Sequence, residues 1–138
     1  MEDLNQPEPA SPIAARPRVL VVDDDDAVRM SLRWMLKESD YSVFDAADGV
    51  QALKHLEQQQ TDVVVLDLLM PNKDGIETLG EIKRRWPAVK VISISGGSFY
   101  SHPEINLSMS LQLGAVCALE KPFSPEVFET AVNNALLG

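Results

Sequence analysis

Two short segments constrain this chain more than anything else in it: Val19-Leu20-Val21-Val22 and Val63-Val64-Val65-Leu66. Each is a run of branched apolar residues, and each ends in acid, Asp23-Asp24 after the first and Asp67 after the second. A run without polar alternation suits a strand buried on both faces, the kind found in a parallel sheet covered by helices on both sides. The remaining pattern agrees. A helix is expected over 25–38, with Val28, Leu32, Met35 and Leu36 at helical spacing, and a strand over 41–46. Asp48 and Gly49 open a helix carrying Ala52, Leu53 and Leu56, and the second buried strand covers 62–66. Pro71 to Asp74 break the chain, and Ile76, Leu79 and Ile82 mark a helix ending near Trp86-Pro87. Strands follow over 89–94 and 115–119. The last helix opens at Phe123-Ser124-Pro125, with Ser124 as cap, Pro125 in the first turn and Phe123 and Phe128 at the spacing of a hydrophobic staple. Alternating strands and helices imply an α/β unit with a parallel sheet.

One segment is ambiguous. Ile105, Leu107, Met109, Leu111 and Leu113 alternate with polar residues, as in a strand, yet also pair at i,i+4, as in a helix. The βα rhythm favours the helix. Residues 1–17 carry four prolines and few large apolar residues, which reads as a disordered tail before a folded unit over 18–138.

Charge narrows the function. The formal net charge of -9 disfavours direct binding to nucleic acid or to an anionic membrane. No run reaches the ~18 apolar residues of a spanning helix, and Met1-Glu2-Asp3 has the wrong sign for a secretory leader. The single cysteine, Cys117, sits in an apolar run and reads as a buried, inert thiol. A cytoplasmic setting is expected.

In an open parallel sheet, ligands bind beyond the carboxyl ends of the strands. Here those ends carry Asp23-Asp24, Asp67, Ser95 and Lys121-Pro122. Singly, each has a plain structural reading: a helix cap, a strand end, a turn, a solvated loop. Together they suggest chemistry. If the first and third strands are neighbours, three carboxylates converge, and a hard divalent cation with oxygen ligands relieves their repulsion. Asp67 could then act as a nucleophile toward a phosphoryl group, with Ser95 and Lys121 stabilising its oxygens.

Val22-Asp23-Asp24, Asp67-Leu68-Leu69-Met70-Pro71 with Asp74-Gly75, Ser95-Gly96 and Lys121-Pro122-Phe123 resemble the receiver domains of two-component response regulators, the CheY-like superfamily. The resemblance runs from Arg18 to the C-terminus. It implies a flavodoxin-like, doubly wound, five-stranded parallel sheet of order 2-1-3-4-5 with five helices. It also implies a bacterial phosphorelay switch in which Asp67 is the phosphoacceptor. Mg2+ would be held by Asp24 directly, by Asp23 mainly through water, by Asp67 and by the backbone carbonyl of Leu69. Ser95 would be the switch hydroxyl, Lys121 the phosphoryl contact, and Lys121-Pro122 a cis bond. The implied donor is a sensor histidine kinase or a histidine phosphotransfer protein. The output partner is a protein the sequence does not name, and the resemblance leaves room for a phosphorylation-dependent dimer. The chain stops soon after the last helix, so either a stand-alone receiver, the favoured reading, or a piece of a longer protein is expected.

Two rivals remain. An aspartyl phosphohydrolase would want a second acid two residues after the nucleophile, where Leu69 stands. A receiver that no longer takes phosphate would not need the complete acid, hydroxyl and lysine set. Three further expectations concern single residues. His55 and His102 read as surface residues. Met30 and Trp34 read as flanking the core stripe of the first helix, with a docking patch as the alternative. Ala118 stands where many receivers carry a Tyr or Phe that moves on activation, which shifts attention to residues 96–113 and to Phe99 and Tyr100 as the read-out.

Overall fold

A computed structural model describes residues 16–70, 75–96 and 103–138, with side chains from 107 onward in the last stretch. Most of the expected tail, and Phe99, Tyr100 and His102, lie outside the described residues. The elements follow in strict alternation: β1 (Arg18–Val22), α1 (Asp26–Met35), β2 (Ser42–Ala46), α2 (Gly49–Gln58), β3 (Val63–Asp67), α3 (Gly75–Arg85), β4 (Lys90–Ser95), α4 (Pro103–Gln112), β5 (Cys117–Glu120) and α5 (Pro125–Leu137). All strand pairs are parallel. The sheet order is β2-β1-β3-β4-β5, the doubly wound arrangement expected from the sequence.

The apolar runs explain the layering. Alternate residues of a strand face opposite sides, so Val19, Val21, Val63 and Val65 pack under α1 and α5 with Leu32, Phe128 and Val132. Leu20, Val22, Val64 and Leu66 pack on the other side with Ala52, Leu56, Leu79 and Ile82 of α2 and α3. Both faces of β1 and β3 are therefore dry. The helix starts behave as their residues dictate. Asp25 caps α1 by accepting from the N–H groups of Ala27 and Val28, Asp48 caps α2 through Gln51, and Ser124 caps α5 through Val127. Phe123 and Phe128 lie 5.6 Å apart between ring centroids, closing the staple over the start of α5.

Several expectations change. The first helix ends at Met35 rather than near 38, because Leu36 leaves helical geometry and its N–H closes the turn on Arg33 and Trp34. The alternating segment, by contrast, is helical through Gln112, as α4, in line with the βα rhythm. Of its described apolar residues, Leu107 is half-buried and Met109, Leu111 and Leu113 are exposed, while Ser110 is buried and donates to the carbonyl of Leu107 at 2.7 Å. His55 is not a free surface residue. Its ring packs 5.1 Å from that of Phe44, Nε2 is buried without a partner, and burial lowers its pKa. Cys117 is only partly buried, at the sheet edge, where burial raises its thiol pKa. Met30 and Trp34 do not flank the core. They are 70 % and 61 % exposed. No described helix is long and apolar enough to cross a membrane.

Candidate functional site

The reversal of strand order places the C-terminal ends of β1 and β3 side by side. Asp23 and Asp24 follow the first, and Asp67 ends the second. One carboxylate oxygen from each of the three lies within 4.8 Å of the others. Asp23 and Asp67 are buried, and Asp24 is exposed. The sequence-level convergence of these acids is therefore realised in space.

Each acid is held differently. Asp23 donates its N–H to the carbonyl of Ala46 at 3.2 Å, extending the β1–β2 pairing, and its Oδ1 accepts from the Asp25 N–H at 2.9 Å. Asp67 Oδ1 accepts from the Leu69 N–H at 3.0 Å, and the Leu68 N–H donates to the carbonyl of Ile94 at 2.9 Å. The start of α3 presses on the same peptide. A Cβ on Gly75 would lie 2.4 Å from the Asp67 carbonyl oxygen and 2.4 Å from Leu68 Cα, so only glycine fits there.

Lys121 arrives from the end of β5. Its Nζ is 3.6 Å from Asp23 Oδ2 and 4.0 Å from Asp67 Oδ2, and the Lys121-Pro122 bond is cis as expected. The backbone under it is tight. Lys121 donates its N–H to the carbonyl of Ser95 at 2.9 Å, and Gly96, at φ 129°, would bring any Cβ within 3.2 Å of the Lys121 backbone. Ser95 is fully buried, and its Oγ has no hydrogen-bond partner among the described residues. Arg29 carries no signal in the sequence beyond its place on a helix face. Its Nη1 donates to the carbonyl of Asp23 at 2.7 Å. Only the packing of α1 across the end of β1 reveals that contact.

The electrostatics follow from this crowding. Burial pushes the Asp67 carboxyl up from 3.8 to about 7, and the Asp23 carboxylate pushes the same way, while the Leu69 N–H and Lys121 oppose both. A buried group that resists ionisation beside two further acids is the chemistry a divalent cation relieves, and an all-oxygen donor set suits a hard ion. A groove at the other pole of the sheet, among Gln58, Trp86, Lys90 and Leu136, is lined by none of these acids.

The model of the response regulator receiver domain matches residues 19–133 of the chain. The chain belongs to that family. It is 32 % identical over 119 residues to the alkaline phosphatase synthesis transcriptional regulatory protein PhoP of Bacillus subtilis, covering 86 % of this chain and 48 % of PhoP. It is 38 % identical over 109 residues to the response regulator MprA of Mycobacterium sp. (strain KMS), covering 79 % of this chain and 46 % of MprA. The receiver thus spans about half the length of these two curated relatives. Among solved structures, a CheY-like receiver from Methanospirillum hungatei superposes with a TM-score of 0.80 at 27 % identity, covering 88 % of this chain and 94 % of that one. Vibrio cholerae CheY4 gives 0.78 at 27 % identity, covering 88 % and 100 %. Receiver domains are signalling switches, and membership places this chain among the phosphoacceptors of two-component systems.

The raised carboxyl pKa has a consequence for stability. A carboxyl that titrates higher folded than unfolded makes the receiver less stable as pH rises, with the loss growing between about 4 and about 7 and constant above. The shift is worth on the order of 2–4 kcal/mol at its plateau. Without divalent ions, Asp67→Asn is expected to melt several degrees above wild type at pH 8 and close to it at pH 4. Thermal melts across that range check this. A difference that does not change with pH would contradict the assignment of the strain to Asp67.

Proposed function

We propose that Asp67 is the phosphoacceptor of this receiver and that it takes its phosphoryl group from the histidine of a sensor kinase or phosphotransfer protein. The observation that carries the reading is the state of the Asp67 carboxylate. Oδ1 is engaged by the Leu69 N–H, which leaves Oδ2, the oxygen facing Lys121 at 4.0 Å, as the attacking atom. Attack forms an oxygen–phosphorus bond and breaks the nitrogen–phosphorus bond of the donor, whose imidazole leaves and takes up a proton. Asp23, Asp24, Asp67 and the Leu69 carbonyl are the groups that would hold Mg2+, and the fit rests on the clustered, charge-strained acids. When bound, the ion would neutralise the cluster and the transferring oxygens.

Lys121 then supplies a positive charge to one phosphoryl oxygen. Ser95 supplies a hydroxyl donor. Its Oγ is buried and unpaired, so a χ1 turn toward Asp67 exchanges an unsatisfied group for a hydrogen bond. That gain exists only in the phosphorylated state, which is what a switch requires. Leu69 stands where a turnover catalyst would want an acid or base, so the domain works as a switch and not as a phosphohydrolase. The receiver unit is assigned to residues 18–138. Its place of action is the cytoplasm, where a single, partly buried thiol such as Cys117 stays reduced. Met30 and Trp34, exposed one turn apart on α1, fit a docking patch for the donor, since aromatic and Met side chains anchor interfaces.

Incubation with acetyl phosphate and Mg2+ is expected to add one phosphoryl group to the wild-type chain and none to Asp67→Asn. Equal labelling of both proteins would refute the assignment. Trp34→Ala is expected to slow transfer from a cognate kinase while labelling by acetyl phosphate stays near the wild-type rate. Parallel losses in both reactions would instead give Trp34 a folding role.

A further inference from the structure

The peptide joining Asp23 to Asp24 is the pivot of the acid cluster. On its upstream side Asp23 is tied to β2 through its N–H and to Asp25 through its carboxylate. On its downstream side the chain passes Asp24 and enters α1, whose first turn is capped by Asp25. Asp24 is exposed, yet its carboxylate belongs to the cluster. The direction of its Cα–Cβ bond is set by the plane of the preceding peptide. The carbonyl of that peptide accepts from Arg29 Nη1 at 2.7 Å, the length of a strong charge-assisted bond.

Arg29 is itself fixed. Its Nη2 pairs with Asp26 within α1, its Nε pairs with Asp45 Oδ2 of β2 at 3.2 Å, and its side chain is 14 % exposed. One guanidinium therefore spans α1, the turn after β1 and the neighbouring strand, which the single point charge of a lysine cannot do. Asp26 and Asp45 also offset its charge, so it does not stand as a bare cation beside a cation site.

We infer that Arg29 is a positioning residue for metal binding, which clamps the Asp23 carbonyl so that Asp23 and Asp24 present their carboxylates in fixed directions. The inference rests on the proposed Mg2+ reading of the cluster. Groups that orient metal ligands from outside the coordination sphere matter nearly as much as the ligands, and loss of one typically weakens binding by ~10–100-fold.

Calorimetric titration of MgCl2 into the metal-free protein tests it. Wild type is expected to bind one ion. Arg29→Gln is expected to bind it about tenfold more weakly, at the low end for an outer-shell contact. Arg29→Lys, which keeps the charge without the fork, also binds more weakly than wild type and serves if the glutamine variant does not fold. In metal-free NMR spectra of either variant, the Asp24 amide resonance is expected to move while that of Leu69 stays in place. That selective displacement is something a general loss of stability would not produce. Wild-type affinity in a folded variant would overturn the inference and leave the Mg2+ reading intact. Tighter binding would also overturn it, because the guanidinium would then act only by repelling the ion. Absence of Mg2+ binding in wild type would remove both the inference and the reading beneath it.

Discussion

Mutual repulsion among Asp23, Asp24 and Asp67 is the constraint around which this receiver is organised. Three carboxylates that approach within 4.8 Å, two of them buried, form an arrangement a folded chain would ordinarily avoid. It persists because the backbone leaves no alternative. β1 and β3 pair in register from Val19 to Val22 and from Val63 to Leu66, and the next residue on each strand is an acid. The hydrophobic cost of moving either strand, with both faces dry, exceeds the cost of the charges at its end. Burial above all, with the Asp23 charge added to it, drives the Asp67 carboxyl toward neutrality, and that is the strain a cation would release.

The residues around the cluster read as responses to that strain. The Leu69 N–H, the Asp25 N–H and the Lys121 ammonium each stabilise an ionised carboxylate, and Arg29 holds the backbone between two of the acids. Ser95 differs, because its hydroxyl is buried with no partner among the described residues. An unsatisfied buried hydroxyl is unfavourable as it stands, and under the proposed phosphorylation it would gain a partner. The tight approaches at Gly75 and Gly96 hold the Asp67–Leu68 backbone against the start of α3 and the turn after Ser95 against the Lys121 backbone.

Much of this was legible in the sequence, for identifiable reasons. β1 and β3 announced themselves because strands buried on both faces lose polar alternation. The cap at Ser124 was legible because a Ser directly before Pro at a helix start has one local use. Asp67 stood out because an acid directly after a fully apolar run is exposed to the site by the fold class alone. The rest was hidden by tertiary context. The residue pattern alone did not separate α4 from a strand, because the apolar residues of 105–113 satisfy both periods, and only the βα rhythm favoured the helix. Its buried described residue is also Ser110, while Met109 and Leu111 face outward. His55 looked solvated among polar neighbours, but α2 turns it onto Phe44 of the edge strand. Arg29 gave no signal, since its contact with the Asp23 carbonyl depends on how α1 crosses the end of β1.

The most direct measurement of the central claim is a crystal structure of the protein with Mg2+ and beryllofluoride, which mimics a phosphoryl group on a carboxylate. The account expects beryllium bonded to Asp67, Mg2+ among Asp24, Asp67 and the Leu69 carbonyl with Asp23 nearby, and Lys121 Nζ and a turned Ser95 Oγ on the fluorine atoms. Beryllofluoride bonded to another acid, or an ordered complex in which Ser95 and Lys121 make no contact with it, would contradict the account.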